Sequence, residues 1–249
     1  MQFPLRRRPA GRQPAFRQQS YPRAEQEIIE RQNIFDGTWS KTPSMGWMFV
    51  PLMQYHGGGA EAPIEPLDEH RDHYRQRLDN LLSAGVQACY RGPRLFDTPA
   101  TRDLVRERVA WFKSHRRVLE SDIVHGRRPD GRDIDWFVHV DPDPTQGTDA
   151  ERAMLVVHNP TAAPIERDLP ISLWYAGLRG SSRVTGSDGR EATCAIDASG
   201  RAVVHYGCDG LKVLSSCELG GDYKFAGVTL KEDVIQLKSS DEVRATLPI

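Results

Sequence analysis

The sequence predicts an α/β segment followed by an all-β one, and two observations carry this expectation. Between about residues 46 and 118, short continuous apolar runs alternate with amphipathic helical stretches, the order of strand–helix units on a parallel sheet. After Ser121 no helical period is visible, and short β-rich runs recur between turn clusters, the pattern of an antiparallel β-sandwich. At 249 residues the chain suits one large domain or two small ones. Mean hydropathy is low at -0.55, but the apolar segments from about residue 46 onward are periodic enough to build a core.

The first 23 residues stand apart. They contain Arg6, Arg7, Arg8, Arg12, Arg17 and Arg23, four prolines and no acid. Such composition buries little surface and reads as a disordered basic tail (1–23), or as a start codon that lies inside an older reading frame. An organellar transit segment is the alternative, being Arg-rich and acid-poor, whereas a secretory signal would need an apolar stretch that is missing.

A helix is expected from Ala24 to Ile34, with Ile28 and Ile29 on one side and Glu25, Glu27 and Glu30 in solvent, stopping before the turn dipeptide Asp36-Gly37. Gly46-Trp47-Met48-Phe49-Val50-Pro51-Leu52 reads as a strand buried on both faces, and the loop His56-Gly57-Gly58-Gly59 follows it. Leu67 to Leu82 is the clearest helix: Leu67, Tyr74, Leu78, Leu81 and Leu82 form one stripe, and Gly85 ends it. Val86 to Tyr90 is a second buried strand. Thr98 as N-cap with Pro99 at the first helical position then starts a helix through Val105, Val109 and Phe112 to about Val118. This order fits two consecutive units of an α/β barrel or of an open doubly wound sheet. Beyond, strands are expected at Trp136–Val140, Ala153–His158, Leu169–Tyr175, Arg201–Tyr206, Leu211–Cys217, Tyr223–Leu230 and Val234–Leu237.

Bulk charge excludes some functions. With 33 basic and 34 acidic residues there is no global field for nucleic acid or an anionic membrane, and the longest apolar run falls far short of a membrane span. Neither a nucleic-acid nor a membrane partner is expected, and the expected compartment is cytoplasmic. Cys89, Cys194, Cys208 and Cys217 show no C-x-x-C spacing; they read as free thiols, or as two pairs in an exported protein.

Several segments, in order, resemble the late barrel of α-galactosidase-like glycoside hydrolases. They are Arg31 to Trp39, Pro43 to Leu52, Gln54-Tyr55-His56-Gly57-Gly58-Gly59 and Ile64-Glu65-Pro66-Leu67. Trp111-Phe112-Lys113-Ser114-His115-Arg116-Arg117 resembles the family's last barrel helix, and Asp122-Ile123-Val124-His125 with Trp136–Val140 its passage into a C-terminal β-domain. The resemblance covers about residues 24–180. It implies the last two βα units of a (β/α)8 barrel in 24–122, incomplete, and a C-terminal β-sandwich in 123–249. In such retaining enzymes two carboxylates about 5–5.5 Å apart perform the hydrolysis. The family draws them from the fourth and sixth strands, which the resemblance places ahead of this chain. The expectation is therefore a fragment with no catalytic residue, inactive alone, unless a partner chain completes the barrel in a split glycosidase. A non-catalytic carbohydrate-binding or interaction module built on the sandwich is the alternative. No cofactor and no metal are expected.

The candidate substrate contacts are His56, Gly57, Gly58, Tyr90 and Arg91, at the carboxyl ends of the two strands, where barrel enzymes hold their substrates. Each has a plainer reading. The glycine run also suits a connector, and Arg91 also suits an ion pair with Asp97 or Glu65. Trp39 and Trp47 could stack on a sugar but read better as core, and Asp36 is explained by its turn. His70 and His73 have a metal-compatible spacing but lie on a charged face that reads as solvated. His139 and His158 read as structural.

Overall fold

The structure, a computed structural model, describes residues 21–40, 47–51, 59–143, 151–161, 163–186, 191–206 and 225–232; at 47–51, 87–89, 91, 192 and 225–232 it describes the backbone. Two compact units are present: residues 1–116 with 128–131, and residues 117–127 with 132–249.

The first unit opens with helix α1 (Arg23–Trp39), which runs past Asp36-Gly37 instead of stopping there. Asp36 is committed to a two-pronged ion pair with Arg128, at 2.8 and 2.9 Å, so it is not a turn residue. Thr38 Oγ1 donates to the Ile34 carbonyl at 2.8 Å and holds the last turn. The buried face of α1 carries Gln26, Glu27, Glu30, Arg31, Ile34 and Gly37. Glu27 and Glu30, expected in solvent, are inside, and Ile28 and Ile29 are only half-buried.

Strands β1 (Trp47–Pro51) and β2 (Gln87–Arg91) pair in parallel, with Val50 opposite Tyr90 and Pro51 opposite Arg91. Between them in sequence lies α2 (Arg71–Leu82), which starts later than the expected Leu67; Leu67 precedes it, and Tyr74, Leu78, Leu81 and Leu82 of the expected stripe lie on it, all of them buried. It ends in a Schellman motif. The Val86 amide donates to the Leu81 carbonyl at 2.9 Å and the Gly85 amide to Leu82 at 3.1 Å, with Gly85 at φ 67°, where only glycine sits without strain.

Helix α3 (Pro99–Leu119) starts as its sequence predicts. Thr98 Oγ1 accepts from the Thr101 amide at 3.3 Å while Thr101 Oγ1 accepts from the Thr98 amide at 3.1 Å, a reciprocal cap with threonine in the usual glutamate position. Thr98→Ala should therefore lower stability by about 1 kcal/mol, read as a fall in the urea midpoint with an unchanged slope.

The barrel expectation is not met. Helix α3 leads to no further parallel strand; it runs into β3 (Asp122–Arg127), which pairs antiparallel with β4 (Asp135–Val140). Among the described residues the parallel sheet has two strands, and closure around a filled interior takes about eight. The unit is mixed α/β: one strand–helix–strand crossover flanked by two more helices.

The second unit is antiparallel. Its main sheet has the order β3-β4-β5-β10-β7-β8, with β5 at Glu151–His158, β7 at Gly180–Gly186, β8 at Glu191–Ile196 and β10 at Phe225–Glu232. A separate two-stranded sheet pairs β6 (Arg167–Ser172) with β9 (Arg201–Tyr206). The expected antiparallel β-sandwich is not what is found: among the described residues the unit has a six-stranded sheet and a separate two-stranded one. Edge strand β8 of the larger sheet lies beside β9, and its other edge strand β3 lies near β6. Val138, Val140, Leu155, Val157, Leu169, Ile171, Val184, Ile196, Val204 and Tyr206 share one core. Strand β9 shows the underlying period of two: Ala202, Val204 and Tyr206 point inward, between residues that are less buried. The candidate strands Leu211–Cys217 and Val234–Leu237 lie outside the described residues. Among those described, no helix is long and apolar enough to cross a membrane.

Candidate functional site

In the parallel register Pro51 stands opposite Arg91, so the last residues of β1 and β2 lie side by side. His56, Gly57 and Gly58 lie outside the described residues, and of Arg91 only the backbone is described. Tyr90 is fully described. It is partly buried, with its ring edge-on to Tyr74 at 6.5 Å. Burial, helped by the nearby Glu30 carboxyl, pushes its phenol up to about 12. Tyr90 therefore stays neutral at physiological pH and offers a donor, an acceptor and an aromatic face, the groups a sugar ring uses. Tyr74 is completely buried and anchored by donation to the Leu95 carbonyl at 2.8 Å.

Behind Tyr90 lies a polar cluster that inspection of the sequence missed. Glu30 on α1 is 0% exposed and Arg77 on α2 is 1% exposed. Arg77 Nη2 lies 3.1 Å from Glu30 Oε1, and Asn80 Nδ2 donates to Glu30 Oε2 at 2.9 Å. Gln76 Nε2 holds Asn80 in place at 2.9 Å. Burial raises the Glu30 carboxyl to about 7, against the pull of Arg77 and Asn80. A usable signal existed: Gln26, Glu30 and Ile34 recur at helical spacing on one face of α1, matched by Gln76, Arg77 and Asn80 on α2.

The remaining candidates resolve individually. Arg94 reaches both oxygens of Glu65 at 3.3 Å. Asp97 accepts from the Asp68 amide at 3.2 Å and from Thr101 Oγ1 at 2.9 Å. Trp39, read as core, is 68% exposed and stacked on Phe35; the Trp47 side chain lies outside the description. His73 Nδ1 meets Glu27 Oε1 at 2.5 Å and His70 Nε2 meets Arg23 Nη2 at 2.6 Å, so this face of α2 is partnered and not simply solvated. His139 and His158 are buried in the sheet. Among the described residues no group of three or more His, Cys, Asp or Glu could hold a metal ion.

No family model matches the chain, and no curated protein matches it. Among solved structures it is similar to the galactosidase domain of the alpha-galactosidase-sucrose kinase AgaSK, at 13% identity and a TM-score of 0.45, over 82% of this chain and 24% of that one. The chain thus spans about a quarter of that structure's length. The likeness is distant and carries no argument about what this chain does.

Proposed function

We propose that the chain is a galactosidase-like, carbohydrate-active protein that holds an α-linked glycoside at the carboxyl ends of β1 and β2, through His56, Gly57, Gly58, Tyr90 and Arg91, without hydrolysing it. The observation that carries this reading is the parallel register, with Val50 opposite Tyr90 and Pro51 opposite Arg91. It sets Pro51 and Arg91, the last residues of the two strands, side by side. Two carboxyls support the non-hydrolytic part: Glu30, raised toward neutrality, is closed off from solvent, and Asp36 is tied to Arg128.

Titration calorimetry with nitrophenyl α-glycosides tests this. Binding heat should appear without release of nitrophenol, and Tyr90→Ala should weaken affinity about tenfold, equivalent to about 1.4 kcal/mol. Steady turnover by the chain alone would defeat the non-hydrolytic part, and unchanged affinity in Tyr90→Ala would defeat the site. A second reading, a non-catalytic carbohydrate-binding module in residues 123–249, is favoured by a cleft in the second unit.

A further inference from the structure

Helices α1 and α2 pack against each other, and three successive polar pairs join them. Arg23 Nη2 meets His70 Nε2 at 2.6 Å, His73 Nδ1 meets Glu27 Oε1 at 2.5 Å, and Arg77 Nη2 lies 3.1 Å from Glu30 Oε1. The spacing explains the alignment. Steps of four and three along α1 are met by steps of three and four from His70 along α2, so both sets stay on facing stripes. Burial is graded along the series: Arg23 and His70 are half-buried, whereas Glu30 and Arg77 are closed off from solvent.

The Arg23–His70 pair joins two basic side chains. A guanidinium has N–H donors and no acceptor, so the contact requires a lone pair on His70 Nε2. His70 is therefore neutral in it, with its proton on Nδ1. A second proton would set two cations against each other. Arg23 also fastens the start of α1 to the segment ahead of α2: its Nε donates to the Pro63 carbonyl at 2.7 Å and its Nη2 to the Ala60 carbonyl at 3.1 Å. Pro22, at the cap position of α1, carries no side-chain acceptor for that end.

The charged groups acting on His70 are Arg23 from α1 and His73 and Glu69 from its own segment. Burial first, then Arg23 and His73, hold the imidazole below its usual range, against Glu69. Asp68 and Arg71 are paired with each other at 2.5 Å, and Glu61, on the segment that Arg23 reaches, is exposed. The other two pairs answer acid differently. A proton on His73 leaves opposite charges in contact with Glu27. Glu30 takes up its proton as the pH falls through about 7, which favours the folded chain.

We propose that Arg23 and His70 form a proton-operated latch. At neutral pH the ring accepts from Arg23 and the first turn of α1 is held to the 60–63 segment. In mild acid that turn is released, while Glu27–His73 and Glu30–Arg77 keep the rest of α1 in place. The sign follows from a value lowered on folding: the contribution is complete above 6.5, the ordinary imidazole value, and is lost as the pH falls below it. The latch is independent of both sugar-binding readings.

Amide hydrogen exchange of the full chain, corrected for the intrinsic effect of pH, tests this at about pH 7.5 and about pH 5, either side of the imidazole range. Protection of the Gln26 amide, which donates to the Pro22 carbonyl at 3.0 Å, should fall several-fold at the lower pH, while that of Leu78–Leu82 holds. His70→Gln offers Arg23 a carbonyl that does not titrate, so the fall should vanish; His73→Gln should retain it. In NMR spectra the His70 ring, assigned by its loss in His70→Gln, should titrate higher in Arg23→Gln than in the parent chain. Unchanged Gln26 protection in the parent overturns the proposal, and so does an equal fall in His70→Gln. A fall shared by Leu78–Leu82 also overturns it, because the whole helix pair would then be opening. If His70→Gln loses protection throughout α2 at both pH values, the Arg23→Gln titration decides, and a His70 midpoint no higher than the parent's overturns the latch.

Discussion

Arg77→Ala is expected to lower the unfolding free energy by about 3–5 kcal/mol, the range for breaking a buried ion pair by removing one partner. The guanidinium is 1% exposed and lies 3.1 Å from Glu30, which is itself 0% exposed. Truncation leaves a cavity between α1 and α2 and takes away the cation that draws the Glu30 carboxyl down. Removal should therefore raise Glu30 further.

The same cluster gives stability a pH dependence. Glu30 is raised in the folded chain from 4.5 to about 7. Between these values the folded chain keeps a proton that the unfolded chain has lost. Its contribution is thus fully present below about pH 4.5 and is lost as the pH rises through about 7. The slope from this one group is at most about 1.4 kcal/mol per pH unit. Urea unfolding at a series of pH values from 4.5 to 8 should show a declining component that Glu30→Gln removes and Arg77→Ala extends to higher pH. Equal slopes in all three proteins would refute the assignment of this component to Glu30.

Leu155→Ala should cost about 2–5 kcal/mol, the range for emptying a large aliphatic site in a packed interior. Leu155 is fully buried on β5, opposite Val138 of β4 on one side and Val228 of β10 on the other. The strand is hydrogen-bonded along both edges and buried on both faces, so few neighbours can relax into the space. Val203→Ala on β9, where the side chain is 64% exposed, is the matched control and should stay within about 0.5 kcal/mol. A Leu155→Ala urea midpoint as close to the parent as that of the control would show that β5 is not the centre of the core.

Signals confined to a few neighbouring residues were legible. Thr98-Pro99 starts α3 and Gly85 closes α2, because caps and left-handed turns depend on groups three to five residues apart. The apolar runs at β4 and β5 and the alternation at β9 are of the same kind. Strands β7 and β8 were not legible. In Gly180–Gly186 the apolar residue is Val184, and its inward-facing neighbour Ser182 is polar yet completely buried, so the period of two has almost nothing apolar to show itself with.

For the candidate sites, Tyr90 was singled out because it ends an apolar strand. The lining of the cleft in the second unit was not legible, because Val124, Trp136, Ile171 and Ala202 lie on four different strands.

Residue order alone therefore set the close of α2 and the start of α3, the apolar stripe that α2 buries, the core strands and the change from α/β to all-β near residue 120. It did not set which charges are inside. Glu30 meets Asn80, 50 residues away, and Arg77, and those pairings make burial of a carboxyl tolerable. Nor did it set closure: whether two parallel strands belong to a cylinder depends on how many others stand beside them, and which strand lies beside the edge of a sheet depends on how the sheets pack. Both are long-range outcomes of packing, which no window of neighbouring residues contains.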